Sequence, residues 1–238
     1  MQENIKSIHQ ELLKAVTIAK ERQSMFFKTA VGTYGAHDKF LGITVPNLRK
    51  IAKNFSAINL EELKLLIASE FNEERLLALI ILTNQYAKGN AQTKEDIYQF
   101  YLENISQVNN WNLVDASAHL IIGAYLFDKD KNLLYELALS KDLWKRRIAI
   151  VATWYFIKNN VLEQTLEIAM LLLNDKEDLM HKAVGWMLRE AGKKDEKILV
   201  GFLNQHGNNM PRTALRYAIE KFPKEQRKKY LTEFNKRR

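Results

Sequence analysis

NLEELKLLIASEFNEERLLALIIL, residues 59–82, is the stretch from which the fold is read. Leu60, Leu63, Leu66 and Ile67, then Leu76, Leu77, Ile80 and Ile81, recur at three- and four-residue spacing. That spacing aligns side chains on one face of a helix. Asn59 precedes Leu60-Glu61-Glu62 and Asn72 precedes Glu73-Glu74, and a short polar acceptor followed by acids marks a helix start. The stretch therefore predicts paired helices. The same signs recur outward, in Thr93 with Asp96, in Asp142 before Leu143, and in Leu166, Ile168 and Leu172. Three prolines (Pro46, Pro211, Pro223) each stand where a helix would begin. No run of alternating residues points to a strand. The class is all-α.

Small residues inside successive apolar helices fall at Ala78, Ala116, Ala149, Ala183 and Ala214, with gaps of 38, 33, 34 and 31 residues. Such a period is about one helical pair with its turns. Short paired helices cannot bury an apolar face alone, so they stack into a solenoid. The expectation is a single HEAT-like domain over residues 1–238, curved around a concave basic groove. One stretch breaks the period, KTAVGTYGAHDKFLGITVP from Lys28 to Pro46, where Gly32, Gly35 and Gly42 interrupt it. Pro46 then opens a helix with Arg49, Lys50 and Lys53 near its start, where phosphate is favoured.

The chain has 238 residues, 47% hydrophobic and 27% charged, and no cysteine. That composition excludes a disulfide framework, thiolate zinc sites and thiol catalysis. The start, Met1-Gln2-Glu3-Asn4-Ile5-Lys6, lacks the pattern of a secretory signal, and no apolar run is long enough to span a bilayer. A soluble cytoplasmic protein is expected. Residues 1–110 hold 13 Lys/Arg against 12 Asp/Glu, a net of +1, while residues 111–238 hold 23 against 16, a net of +7. One-sided basic charge favours a polyanionic partner, although a solvated basic surface is the plainer reading.

Three helical segments combine tryptophan with charge. In NWNLVDASAHL, Trp111 and Asp115 are four apart and share a face. On the residues alone, core packing for Trp111 and capping or ion pairing for Asp115 are the commoner roles. In LWKRRIAI, Trp144 precedes Lys145, Arg146 and Arg147, which span about 200° of a helix. At least one of the three should face the inner surface of the array, and arginine's planar fork suits phosphate. In HKAVGWMLREAGKK, Lys182, Trp186, Arg189 and Lys193 form one stripe at spacings of 4, 3 and 4, and Arg212 and Arg216 repeat the pattern one helical pair later. The five histidines show no metal-ligand spacing, and no Gly-rich phosphate loop or nucleophilic elbow is present. Neither a metal nor a cofactor is expected.

FLGITVPNLRK (40–50), NNWNLVDASA (109–118), LWKRRIAI (143–150), HKAVGWMLREAGK (181–193) and MPRTALRYAIEKFP (210–223) resemble the AlkD family of DNA alkylation repair proteins, from about Phe26 almost to the C-terminus. The resemblance implies a HEAT-like solenoid. It also implies a glycosylase removing N3- and N7-alkylated purines, such as 3-methyladenine and 7-methylguanine, from duplex DNA without a deep base pocket. It assigns Asp115 as catalytic carboxylate, Trp111 and Trp186 as aromatics flanking the lesion sugar, and Arg147 as a phosphate-binding arginine beside it. Arg49 and Arg189 match backbone-contacting positions. With Arg146, Lys182, Lys193, Arg212 and Arg216 they make the expected DNA-binding set. An N-terminal aromatic of the site has three candidates, Phe26, Phe27 and Tyr34.

An N3- or N7-alkylated purine is cationic and leaves readily, and the sugar gains positive charge as the bond breaks. Asp115 is expected to stabilise that charge and to orient or deprotonate water. The indoles offer π-faces to cationic groups, and the basic residues grip the backbone whatever its sequence. The expected agent is a monomer acting on double-stranded DNA, with no membrane partner. Two rival readings remain: a non-catalytic solenoid that binds distorted duplex, and a protein-interaction scaffold.

Overall fold

A computed structural model describes residues 2–17 and 20–234. The chain is all-α with HEAT-like helical pairs, and the described residues contain no strand, only isolated bridges between Val16 and Ile43 and between Lys39 and Phe71. It divides into two compact units, Met1–Ile121 and Ile122–Arg238. No helix of the described residues is long and apolar enough to cross a membrane.

The N-terminal unit contains α1 (Gln2–Lys14), α2 (Lys20–Phe27), α3 (Val45–Asn54), α4 (Leu60–Ile67), α5 (Asn72–Lys88), α6 (Ala91–Glu103) and α7 (Trp111–Ser117). Its centre is α5, against which α3, α4, α6 and α7 pack. Every residue from Leu76 to Leu82 is buried. The helical spacing read in that run is therefore not a one-sided stripe, because a helix packed on several sides is apolar all round. Asn59 caps α4 as expected, accepting from Glu62 N at 2.9 Å within a capping box. Two other caps shift. Asn90 rather than Thr93 caps α6. Asn72 is the first residue of α5, and its side chain turns instead toward Asp38 and Asn112.

The Gly-rich 28–46 connection is fastened to α5. The buried Glu73 carboxylate accepts from the backbone N–H groups of Leu41, Gly42 and Ile43 at 3.0, 2.9 and 3.2 Å. Gly42 has φ 95°, a left-handed conformation that a side chain would strain. Asp38, its side chain wholly buried, pairs with the Arg75 guanidinium and accepts from the amides of Asn72 and Asn110. Thr44 then caps α3, accepting from Asn47 N at 3.4 Å, with Pro46 in the first turn.

A π-helical turn (His119–Gly123) follows α7. The C-terminal unit continues with α8 (Ala124–Leu126), α9 (Asn132–Ala138), α10 (Leu143–Lys158), α11 (Glu163–Leu171), α12 (Asp178–Lys194), α13 (Glu196–His206), α14 (Arg212–Ala218) and α15 (Lys224–Glu233). Here α10 packs against α9, α11 and α12, and α12 against α13 and α14. The repeat alanines lie on α5, α7, α10, α12 and α14, one per helix. Ala78, Ala149, Ala183 and Ala214 are buried, whereas Ala116 is half-buried. A close helix crossing uses a glycine: a Cβ on Gly185 of α12 would stand 2.4 Å from the Ala214 carbonyl oxygen of α14.

Candidate nucleic-acid interface

In the N-terminal unit the site begins with a helix cap. Asn110 is fully buried, and its Oδ1 accepts from Trp111 N at 2.7 Å. Its Nδ2 donates to Asp38, so one amide joins the start of α7 to the buried network beneath it. One side of α7 is fixed from behind, where the Ser117 hydroxyl donates to the Leu113 carbonyl at 2.7 Å and lies 3.1 Å from the Tyr101 hydroxyl. Burial holds that phenol well above its ordinary pKa. The Ser117 hydrogen bond opposes the shift and the charge of nearby Asp115 adds to it.

The other side of α7 opens onto a cavity of about 940 Å³ that both Trp111 and Asp115 line. Phe27 stacks on Trp111 at 5.1 Å and 15°, Phe26 meets the same ring edge-on at 5.5 Å, and Phe40 stacks behind Phe27 at 4.5 Å. Arg49 and Lys53 of α3 line the same space. Of the three N-terminal candidates, Phe26 and Phe27 therefore join the indole. Phe27 is buried, while Phe26 is 65% exposed. A cluster of aromatic rings, a carboxylate and two cations around one cavity can hold a planar cationic group and stabilise positive charge beside it.

The tryptophans and arginines of the C-terminal unit are placed differently from one another. Asp142 caps α10 as expected, accepting from Trp144 N at 2.7 Å. Trp144 itself is core rather than a presented aromatic plane. The Arg146 Nε donates to Asp175 at 2.6 Å and its Nη1 to the carbonyls of Ser140 and Lys141, so this expected DNA contact is drawn into structural bonds. Arg147 is only 5% exposed, with Nη1 donating to the Leu179 carbonyl at 2.7 Å. The physical reason is crowding. With α9, α11 and α12 all packed on α10, most of its circumference meets protein.

Trp186 is half-buried and stands edge-on to Trp154 at 5.1 Å, and Lys158 Nζ sits 4.1 Å over the Trp154 ring. Trp154 had not been singled out, although Trp154 and Lys158 are four apart on α10 and share a face. The stripe on α12 is laced with acids. Lys182 pairs with Asp178 at 2.7 Å, Lys193 binds Glu190 at 2.8 Å, and Arg189 contacts both Glu190 and Glu220. These cations are not buried unpaired, so the stripe alone does not demand a polyanion. Arg212 Nη1 donates to the Leu231 carbonyl at 2.6 Å. Arg49 and Arg216 are exposed, with no ion-pair partner among the described residues. Trp111 and Asp115 thus lie in the N-terminal unit with Arg49. Arg147 and Trp186 lie in the C-terminal unit with Arg146, Lys182, Arg189, Lys193, Arg212 and Arg216.

Comparison with known proteins covers most of the chain. A family model described as DNA alkylation repair enzyme matches residues 9–222. A solved structure described as a predicted DNA alkylation repair enzyme from Enterococcus faecalis is similar at TM-score 0.65 and 16% identity, over 86% of this chain and 95% of that one. At that identity the likeness speaks for the fold. No curated protein matches the chain.

Proposed function

The chain belongs to the family of DNA alkylation repair enzymes, and from that premise we propose that it is a DNA glycosylase. Its substrates are cationic N3- and N7-alkylated purines in duplex DNA, 3-methyladenine and 7-methylguanine among them. In the reaction the bond from the sugar C1′ to the base nitrogen breaks, and its electron pair passes to the base and cancels the base's positive charge. A water oxygen bonds to C1′, and a water proton passes through the Asp115 carboxylate to solvent. Asp115 also stabilises the charge that builds on the sugar, an effect worth about 3–4 kcal/mol for one well-placed group. Because the lesion is already a good leaving group, the base need not be engulfed, and neutral lesions are poor substrates.

The observation that carries this reading is the shared cavity of Trp111 and Asp115, walled by Phe26, Phe27 and Phe40 and edged by Arg49 and Lys53. Trp111 offers its π-system to the sugar and cationic base. Trp186 and Arg147 take the sugar-flanking and phosphate-binding roles implied by the resemblance. Arg49, Arg146, Lys182, Arg189, Lys193, Arg212 and Arg216 grip the backbone. The lysine and arginine ion pairs on α12 do not forbid this, since an exposed pair is worth about 0.2–1 kcal/mol and a phosphate can displace it. The protein works as a monomer in the cytoplasm, without a cofactor.

The test is base release from methylated duplex DNA, followed by mass spectrometry of the freed bases. Wild type should release 3-methyladenine and 7-methylguanine, and Asp115→Asn should be slower by about a hundredfold or more. Equal rates for the two proteins, or no release by either, would end the glycosylase reading. One observation favours a second reading, a non-catalytic binder of distorted duplex: Arg147 is 5% exposed, little of it offered to a phosphate. That reading predicts tight duplex binding with no released base.

A further inference from the structure

The end of the C-terminal unit carries a second charged concavity that none of the α7 chemistry uses. A trench of about 1140 Å³ runs along α14 and α15 and meets the start of α12. Six cations line it, Lys182, Arg212, Arg216, Lys224, Arg227 and Lys228, against two acids, Asp178 and Glu220. Both acids are occupied. Asp178 accepts from Thr213 at 3.0 Å and pairs with Lys182 at 2.7 Å, while Glu220 pairs with Arg189 and with Lys221 at 3.2 Å. Those partners hold both carboxyls below their ordinary pKa, Asp178 chiefly through Lys182 and Glu220 chiefly through Lys221. Arg216, Lys224, Arg227 and Lys228 are left with no ion-pair partner among the described residues.

Packing does not explain these charges. Tyr230 is the one core residue among the described side chains of α15; it sits 5.8 Å from the Phe222 ring and 5.7 Å from the Phe234 ring. Arg212 adds a bond to the Leu231 carbonyl that ties α15 to α14. Apart from Tyr230 and Leu231 the helix is polar, a pattern that calls for a reason outside the core. Like charges lining one trench repel one another, and the arrangement makes sense when an anion fills it.

We infer that this trench is a backbone subsite for duplex DNA, in which Lys224, Arg227 and Lys228 of α15 and Arg216 of α14 contact phosphates of one strand. The inference rests on the proposed DNA substrate and adds α15 to its interface. The spread of charge selects a linear polyanion over a compact one. Lys224 and Lys228 are one turn apart, about 6 Å along the helix axis, and phosphates of one strand recur every ~3.4 Å along the duplex. A strand laid along the trench offers a phosphate to each of the four cations, more than one phosphate ion can supply.

The experiment is duplex binding followed across potassium chloride concentration, using a fluorescein-labelled duplex and the full chain. Each lost phosphate contact lowers the slope of log K against log salt by about 0.9. The triple variant Arg216→Ala/Lys224→Ala/Arg227→Ala should therefore have a slope smaller by about 2–3. Arg216→Lys/Arg227→Lys, which keeps the charge, should retain the wild-type slope. A control triple of exposed lysines outside the trench, Lys64→Ala/Lys88→Ala/Lys141→Ala, should also leave it unchanged. If the control lowers the slope as much as the trench variant, the effect is net charge and the subsite is overturned. If wild type binds duplex with a clear salt dependence and the trench triple keeps that slope, the subsite fails while the DNA reading stands. If wild type shows no salt-dependent duplex binding, the DNA reading fails and the subsite with it. Inorganic phosphate at millimolar concentration should not displace the duplex; displacement would point to a small-anion site instead.

Discussion

Replacing Asn110 should loosen the helix that bears both Trp111 and Asp115, by an amount the hydrogen bonds let one divide. The Asn110 amide makes two separate contributions, since Oδ1 caps α7 through Trp111 N and Nδ2 donates to the buried Asp38 carboxylate. Asn110→Ser keeps a capping oxygen and loses the second contact. A hydrogen bond to a charged group contributes about 1.5–3 kcal/mol, and Asp38, wholly buried, finds no water to replace it. Asn110→Ala loses the cap as well, a further ~0.5–2 kcal/mol, for a total of about 2–5 kcal/mol. Urea unfolding followed by circular dichroism gives the totals. Hydrogen exchange at the Leu113 and Val114 amides, both bonded to the Asn110 carbonyl at 3.1 Å, reports locally on α7. The reasoning is wrong if Asn110→Ala lies within ~0.5 kcal/mol of wild type, the usual range for a surface change. It is equally wrong if serine and alanine are indistinguishable, because the cap would then carry nothing.

The two phenylalanines beside Trp111 should separate site from core. Phe27→Ala, at a buried position, should cost about 3–5 kcal/mol in urea unfolding, whereas Phe26→Ala should change stability little and slow base release at least several-fold; equal effects on stability would undo the distinction. Tyr135 should titrate late, its phenol pushed up to about 12 by burial, then by its hydrogen bond to Glu167 and that residue's charge. Its folded value is raised, so the stability it contributes is present below pH 10 and lost as pH rises toward about 12. Ultraviolet difference titration should show that step moving to lower pH in Glu167→Gln, and an unmoved step would refute the assignment.

What the sequence disclosed and what it hid follow from the range of the forces involved. Local signals were legible. Asn59 and Asp142 cap helices because the partners of a cap lie two or three residues away. The spaced alanines mark the helices α5, α7, α10, α12 and α14 because a close helix crossing needs a small residue wherever the pairs stack. Trp111 and Asp115 share a cavity because four residues make one helical turn. The larger failures are long-range, although the cap that falls on Asn90 rather than Thr93 and the acids that pair Lys182 and Lys193 lie within one turn. Asn72 looked like a cap and is a bridge to Asp38, 34 residues earlier in the chain. Arg146 looked available and is held by Asp175, 29 residues on. Trp144 stands beside three cations in sequence and reads as a presented ring, yet the crowding of α9, α11 and α12 on α10 places it in the core. The basic tail residues Lys236, Arg237 and Arg238 lie outside the described residues.

The acids threaded through the α12 stripe have a consequence for affinity. Glu190 bridges Arg189 and Lys193, and Asp178 holds Lys182. A phosphate arriving there must displace a carboxylate already bound, so each contact gains only the difference between two similar interactions. In the α14–α15 trench the four unpaired cations have no such competitor among the described residues, and a phosphate gains the full attraction together with counterion release. Under the proposed function the two surfaces therefore divide the work. The trench supplies sequence-independent grip, and the paired stripe beside Trp186 adds little until the backbone is pressed close enough to exclude water, where the effective dielectric falls and charge contacts strengthen. Neutralising Glu190 by Glu190→Gln frees Lys193 and leaves Arg189 to Glu220 alone, and should raise affinity for undamaged duplex several-fold without raising base release. A fall in undamaged-duplex affinity would show that the carboxylate orients those cations instead of competing for them.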